Sequence, residues 1–300
     1  MEEKASVHED SRQPENRLAY GALAGAVVAL TLSPLFIRWA DAPGMITSFY
    51  RMVIAAVILT PFALHKIKTA EKPPVLEYLF PILAGVFSSL DHGLWATAIE
   101  QTTVANATLL NNISPLWVAL FALLVWRERL GVRFWIGLAA LLAGASLVLG
   151  STILIRPDFV RGDFYAIASS LFYAGFYLTA QRGRKRIATL PFLWIMMVTA
   201  AVSLLVITQS TGLPLGGYSQ TTYLVFISAA LVSQLGGYFL LTYTLGNLPA
   251  SVVTPTMAAQ PVLTALLAIP LEGEALLAGQ ILGGAAVLGG IYLVNTARGI

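Results

Sequence analysis

The apolar positions of the chain fall into ten runs, most of them about 20 residues long and separated by short polar stretches. A run of that length can cross a hydrocarbon core of roughly 30 Å as a helix, whereas barrel strands would alternate apolar and polar residues over about 10 positions. The pattern predicts an all-α integral membrane protein with ten transmembrane helices. The predicted helices lie at residues 18–37, 43–64, 77–99, 102–125, 134–150, 163–181, 189–209, 219–244, 249–270 and 275–296.

One stretch of the chain occurs twice. Residues 105–149 align without a gap with residues 251–295 when the numbering is shifted by 146. Low complexity would match Ala and Leu by chance, but hardly a proline, a glutamate and two glycines together, so we interpret the match as an internal repeat. The matched pairs are Pro115 with Pro261, Glu128 with Glu274, Gly137 with Gly283 and Gly144 with Gly290.

The number of helices in each repeat decides the topology. Ten helices in two copies give five per copy, and an odd number makes the second copy enter the membrane from the opposite side. The predicted units are a disordered cytoplasmic tail at 1–16, a first repeat at 17–150 and a second repeat at 151–300. Inverted repeats give many secondary transporters two conformations, one open to each side, and an enzyme or receptor has no comparable need for them.

Composition and charge agree with this interpretation. The chain is 57% hydrophobic and 11% charged, whereas a soluble domain has about 25% charged residues. The net charge of +3 does not indicate a nucleic-acid partner, because the basic residues lie in membrane loops. Most of the 18 Lys and Arg residues fall on the side that holds the N-terminus, and only Arg38, Arg156 and Arg161 fall on the other. The positive-inside rule therefore predicts that both termini are cytoplasmic.

Polar residues inside the predicted helices mark a candidate central cavity. Asp91, His92 and Trp95 of the third helix share one face with Ser88, because their spacing follows the helical repeat. Gln234 and Tyr238 do the same in the eighth helix. The fourth helix adds Asn111, Asn112 and Pro115, and the ninth adds Gln260 and Pro261. The two prolines would release backbone groups beside the cavity, where water or protein can satisfy them.

Asp91 and Arg51 are the clear charges well inside the predicted helices, and such groups are costly in a membrane. Asp91 is either an amine-binding or proton-carrying carboxylate, or a structural partner of Arg51 or cap of the fourth helix. Arg51 lies nearer the outer end of its helix, where it could snorkel, so we favour a structural role for it. His92 could move protons or could be a satisfied core histidine.

Aromatic residues could wall the cavity. Tyr173 and Tyr177 share one face of the sixth helix, and Trp95 lies in the third. Aromatic walls suit an apolar or aromatic ligand, although for any single one of these residues we favour ordinary packing or interfacial anchoring. No HExxH, Walker A or GxSxG motif of an enzyme is present, and the sequence indicates no cofactor and no metal site.

The block from Leu90 to Leu120, with Glu128 after it and the same design again from Thr244 to Glu274, resembles the EamA family of the drug/metabolite transporter superfamily. The resemblance implies two inverted five-helix repeats, export of small metabolites, commonly amino acids, and a cavity lined from helices one, three, four, six, eight and nine. Within the family the chain resembles the YddG-type exporters of aromatic and other hydrophobic amino acids. The second repeat has Gly237 where the first has Asp91.

Together these observations predict an exporter of hydrophobic or aromatic amino acids that works by alternating access around a central cavity, as a monomer and with the proton as candidate coupling ion. Asp91 and His92 would meet the ammonium group. Neutral hydrogen bonds would come from Asn111, Asn112, Gln234, Tyr238 and Gln260, and the wall from Trp95, Tyr173 and Tyr177. The alternatives are a facilitator of another metabolite or drug, a carrier of phosphorylated solutes, which would need several Lys or Arg deep in the helices, and a membrane-embedded enzyme.

Overall fold

The structure is a computed structural model that describes residues 2–70, 73–102, 107, 110–149, 161–263, 266–267 and 278–297, with side chains outside 2–16, 148–149 and 280. Glu274 and the predicted boundary between the repeats at residues 150 and 151 lie outside the described residues.

Ten helical spans, here named α1 to α10, make up the described part of the chain, and the prediction of an all-α membrane protein is confirmed. Five of the spans, α1, α2, α3, α7 and α8, are long and apolar enough to cross a membrane over their described residues alone. The spans are α1 (Glu2–Thr31, continued by Ser33–Trp39), α2 (Gly44–Thr69), α3 (Leu79–Gln101, after a 3₁₀ turn at Val75–Tyr78), α4 (Ser114–Leu124), α5 (Val132–Leu149), α6 (Arg161–Gly183), α7 (Thr189–Thr211), α8 (Gln220–Leu245), α9 (Ala250–Met257) and α10 (Ala278–Thr296).

The first span contains the segment that the sequence predicts to be a disordered tail. Helix α1 begins at Glu2, and its candidate membrane span is Arg17–Trp39. Disorder of residues 1–16 stays a prediction.

Helices α5 and α10 pack against each other through glycines. A Cβ atom on Gly137 would lie 2.8 Å from the carbonyl oxygen of Gly290, and one on Gly144 would lie 2.6 Å from that of Gly283. The contacting residue number rises from 137 to 144 in α5 while it falls from 290 to 283 in α10, so the two helices are antiparallel. They are also equivalent helices of the two repeats, so this glycine seam shows the repeats crossing the membrane in opposite senses.

The remaining helix pairs follow the same pseudo-two-fold relation. Helix α3 packs on α6 and α7, and its equivalent α8 packs on α1 and α2. Helix α2 also packs on its own equivalent, α7, and α4 packs on α9. The two repeats are therefore interleaved, and the residues between them come from both.

A partly buried arginine lies at the short connections on the face that holds the N-terminus. Arg184, between α6 and α7, donates from Nε to the carbonyl oxygen of Thr242 at 3.1 Å and from Nη1 to that of Ile187. Gly246 leaves room for the guanidinium, because a Cβ there would lie 2.7 Å from it. Burial lowers the pKa of Arg184 to about 10, well above neutrality. The arginine therefore stays charged and ties the α6–α7 connection to the end of α8.

Candidate functional site

A cavity of about 690 Å³, open solvent at its mouth included, lies between the two repeats. The cavity lies toward the face away from the termini, because its lining residues in α3 are in the second half of that helix and its lining residue in α2 is in the first half. Nine of the ten predicted binding residues line it: Asp91, His92, Trp95, Asn111, Asn112, Tyr173, Tyr177, Tyr238 and Gln260. The other lining residues are Leu30, Ser33, Pro34, Arg51, Ser114, Thr254, Met257 and Ala258.

Asp91 connects three helical spans through one of its carboxylate oxygens. Its Oδ1 accepts a hydrogen bond from Nδ2 of Asn111 at 2.9 Å and another from Oγ of Ser169 in α6 at 2.7 Å. The residue is 6% exposed, so these bonds are made away from bulk water and help to offset the cost of burying a carboxylate. Among the described residues, Oδ2 has no hydrogen-bond donor, and this oxygen is available to a ligand.

His92 is held in one orientation by its own helix. Its Nδ1 lies 2.7 Å from the carbonyl oxygen of Ser88, which can only accept, so Nδ1 carries a proton and donates it. The same nitrogen lies 3.6 Å from Oδ2 of Asp91, and the imidazole ring lies 6.0 Å from the ring of Tyr238. In the neutral ring, Nε2 is then the acceptor. His92 therefore has the hydrogen bond of a satisfied core histidine and also lines the cavity, and its role in moving protons stays a prediction.

Arg51 differs from the sequence expectation. Snorkelling to the membrane surface is wrong for this side chain, because it is only 1% exposed and lines the cavity. Its Nη1 donates to Oγ of Ser33 at 2.6 Å, and its buried Nε has no acceptor among the described residues. Arg51 does not form the direct pair with Asp91 that was one alternative for the carboxylate, since each charge has its own partners.

Aromatic rings form one wall of the cavity. The rings of Tyr173 and Tyr177 have centroids 4.5 Å apart, and Phe176 lies edge-on to Tyr238 at 5.6 Å. The hydroxyl of Tyr177 is buried without a hydrogen-bond partner among the described residues. Trp95 contributes from α3 and is half-buried. Such a wall offers apolar ring faces with a few polar atoms, the usual composition of a small-molecule site.

Both repeats contain a broken helix beside the cavity. Two residues, 112 and 113, interrupt the helix before α4, and the equivalent residues 258 and 259 interrupt the one that begins as α9. In each case the helix resumes with a proline at its second residue, Pro115 or Pro261, where a missing N–H costs nothing. Discontinuous helices of this kind place backbone polar groups at the binding sites of transporters.

Gln234 is the predicted binding residue that the structure places elsewhere. It is fully buried, and its Nε2 lies 2.7 Å from Sδ of Met52 in α2. The reason is local, because residues Ala230–Gly237 of α8 form a π-helix. The wider π turn breaks the α-helical spacing that would align Gln234 with Tyr238 on one face.

The resemblance places helix one at the cavity, but the sequence interpretation named none of its residues. Leu30, Ser33 and Pro34 lie there because α1 is interrupted after Thr31 and resumes at Ser33 with Pro34 in its first turn. A Ser-Pro step inside an apolar run was the available signal.

Comparison with known proteins identifies the fold and the family. The sequence pattern of the EamA-like transporter family matches residues 17–150 and 160–296. An uncharacterized transporter of Methanothermobacter thermautotrophicus is 26% identical over 271 residues, which cover 82% of this chain and 76% of that protein. YdfC, an uncharacterized transporter of Bacillus subtilis, is 24% identical over 254 residues, covering 81% and 79%. A crystal structure with 19% identity aligns over 94% of this chain and 99% of the other with a TM-score of 0.75. The chain therefore belongs to the EamA-like transporter family and is a multi-pass membrane transporter, not an enzyme.

Proposed function

We propose that this transporter exports hydrophobic or aromatic amino acids across a bacterial inner membrane. The observation that carries the proposal is a buried carboxylate, Asp91, which lines a cavity with aromatic walls and whose Oδ2 has no hydrogen-bond donor among the described residues. A carboxylate of this kind suits an ammonium group, and rings such as Tyr173 and Tyr177 suit an apolar side chain. His92, Asn112, Tyr238 and Gln260 add neutral polar atoms around the same space.

Transport proceeds by alternating access. The described cavity reaches toward the face away from the termini, while Arg184 ties the α6–α7 connection to the end of α8 on the other face. With the termini cytoplasmic, this is the outward-open state, and the inverted repeats supply an inward-open counterpart. The helix breaks before Pro115 and Pro261 are the places where α4 and α9 can bend during the exchange.

Flux through the purified full-length protein in liposomes tests the substrate. We expect uptake of radiolabelled L-phenylalanine and L-leucine above that of empty liposomes, and none of glucose 6-phosphate. A phosphorylated solute would need several cationic groups, and the described cavity lining contains only Arg51. Flux of the phosphate ester without amino-acid flux would overturn the proposal. Repeating the assay with and without a pH gradient shows whether a proton is coupled.

Orientation is tested separately, because the chain contains no cysteine. Single cysteines at Lys66 and at Gly216, both in exposed positions on opposite faces, are labelled in intact cells with a membrane-impermeant maleimide. We expect labelling of Gly216→Cys and protection of Lys66→Cys. The reverse pattern would place the termini outside and would make the described state inward-open.

A further inference from the structure

Two opposite charges are buried in the same cavity without pairing with each other. Asp91 is bound through Oδ1 to Asn111 and Ser169, and Arg51 is bound through Nη1 to Ser33. Both side chains are nearly inaccessible to solvent, at 6% and 1% exposure. Charges buried in a membrane protein are costly unless they are paired, and such groups usually have a function.

The guanidinium of Arg51 has unused hydrogen-bonding capacity. It carries five N–H donors in a planar fork, and Ser33 Oγ is its one acceptor among the described residues. Its Nε is buried without an acceptor in the part of the chain that the structure describes. A carboxylate is the group that fits this fork best, because two parallel N–H···O bonds can form at once.

We propose that Arg51, positioned by Ser33, is the carboxylate-binding residue of the cavity, so that Arg51 and Asp91 together select a zwitterion. This inference rests on the proposed amino-acid function and deepens it. The carboxylate of the substrate meets the free N–H groups of Arg51, and its ammonium meets Oδ2 of Asp91. Each end of the zwitterion then neutralises one buried charge, and the side chain of the substrate lies against the aromatic wall.

The charge balance of the cavity favours a zwitterion over an anion or a cation. One arginine and one aspartate among the lining residues give no net charge when both are ionised. A phosphate ester would be attracted by Arg51 but repelled by Asp91, and a simple amine would leave Arg51 unpaired. A site built to bond a polar group discriminates strongly against an analogue that lacks it, because its own buried groups are then left unsatisfied.

Three probes that share one side chain test the inference in liposomes. L-Phenylalanine has both charged groups, L-phenylalaninamide lacks the carboxylate, and 3-phenylpropionate lacks the ammonium group. We expect the wild-type protein to prefer phenylalanine over each analogue by at least about tenfold in the initial rate at low substrate concentration. Equal rates for phenylalanine and its amide would overturn the carboxylate subsite, yet leave the amino-acid function standing.

Substitution of Arg51 then identifies the responsible group. In Arg51→Gln the preference for phenylalanine over phenylalaninamide should fall to within about twofold, while the preference over 3-phenylpropionate remains. Arg51→Lys keeps the charge without the fork and should give an intermediate ratio. Lys68→Gln, which removes an exposed charge from the far end of the same helix, should leave both ratios unchanged. An unaltered amide ratio in Arg51→Gln contradicts the inference.

A second variant covers the case in which Arg51→Gln does not fold. Ser33→Ala removes the hydroxyl that orients the guanidinium and leaves both charges in place. We expect a several-fold loss of the phenylalanine-to-amide ratio, with the same amount of folded protein in detergent. A wild-type ratio in Ser33→Ala shows that this serine does not position Arg51. Absence of all phenylalanine flux in the wild-type protein would instead reject the proposed function itself.

Discussion

In α3, position 91 is an aspartate in a regular α-helix, whereas the equivalent position of α8 is Gly237, at the end of eight π-helical residues. The two helices occupy equivalent places in the fold. Where Asp91 makes two hydrogen bonds, Gly237 instead makes room for Leu30, since a Cβ there would lie 2.7 Å from Leu30.

The second helices of the two repeats also differ in the charge that they carry. Arg51 of α2 corresponds to Met197 of α7 by the repeat offset, and Met197 is a fully buried apolar residue. Both charges of the cavity therefore come from the first repeat, and the irregular π segment comes from the second. The two repeats therefore share the packing of their helices but differ in two ways. The first repeat supplies the charged side chains of the cavity, and the second supplies the π-helical segment.

The largest expected effect concerns the place where the repeats remain alike. Gly290→Leu should destabilise the protein by about 3 kcal/mol or more, because its side chain would meet the backbone of Gly137 in the glycine seam. Gly289→Leu, one residue earlier, faces open space and should change stability by less than about 1 kcal/mol. The yield of monodisperse protein and its thermal midpoint measure both. Equal behaviour of the two variants would contradict the described seam.

Asp91→Asn should lower phenylalanine transport about 30-fold or more, because it removes the charge while keeping the size and most of the hydrogen bonds. The folded yield should be close to that of the wild-type protein. Glu100→Gln, an exposed carboxylate at the end of the same helix, serves as the control and should transport normally. Undiminished transport by Asp91→Asn would mean that the charge in the first repeat is structural.

A smaller effect is expected at the equivalent position of the second repeat. Gly237→Ala should cost about 1–3 kcal/mol of stability and should reduce transport, because the new methyl group pushes Leu30 toward the cavity that it lines. At Gly236 a Cβ would make only an ordinary contact, 3.5 Å from the carbonyl oxygen of Leu231, so Gly236→Ala should be nearly neutral. Thermal unfolding and liposome flux are measured for the two variants. An equal loss in Gly237→Ala and Gly236→Ala would argue against close packing of α1 on α8.

The smallest effect should come from a polar atom that the π segment leaves unpaired. The hydroxyl of Ser233 is fully buried without a partner among the described residues, so Ser233→Ala should be neutral or stabilising by up to about 1 kcal/mol. Ser169→Ala in α6 should instead destabilise by about 1–2 kcal/mol, because Ser169 donates a hydrogen bond to Asp91 of the first repeat. The thermal midpoint should stay the same or rise in Ser233→Ala and should fall in Ser169→Ala.

The sequence predicts the fold far better than it predicts the orientation of individual side chains. The lengths of the apolar runs predict the spans, and the matched Pro, Glu and Gly positions predict the repeat. Neither signal depends on how individual side chains pack. Asp91 is conspicuous as a charge in an apolar run, and its neighbours on the same helical face follow from periodicity.

Arg51 and Gln234 show where that reasoning stops. Depth in a helix could not distinguish a snorkelling Arg51 from one that turns inward to Ser33, because the choice depends on a break in another helix, α1. The direction of Gln234 depends on π turns, which no residue type in Ala230–Gly237 specifies by itself.

The glycine seam has one more consequence. Gly137 meets Gly290 and Gly144 meets Gly283, so each half of the chain contributes the same two positions, swapped. Self-complementary contacts of this type are what two identical subunits make across a two-fold axis. Two copies of a single five-helix half, inserted into the bilayer head to tail, could form the same junction without a covalent link. The fused chain thus retains the geometry of a homodimer whose members face opposite ways.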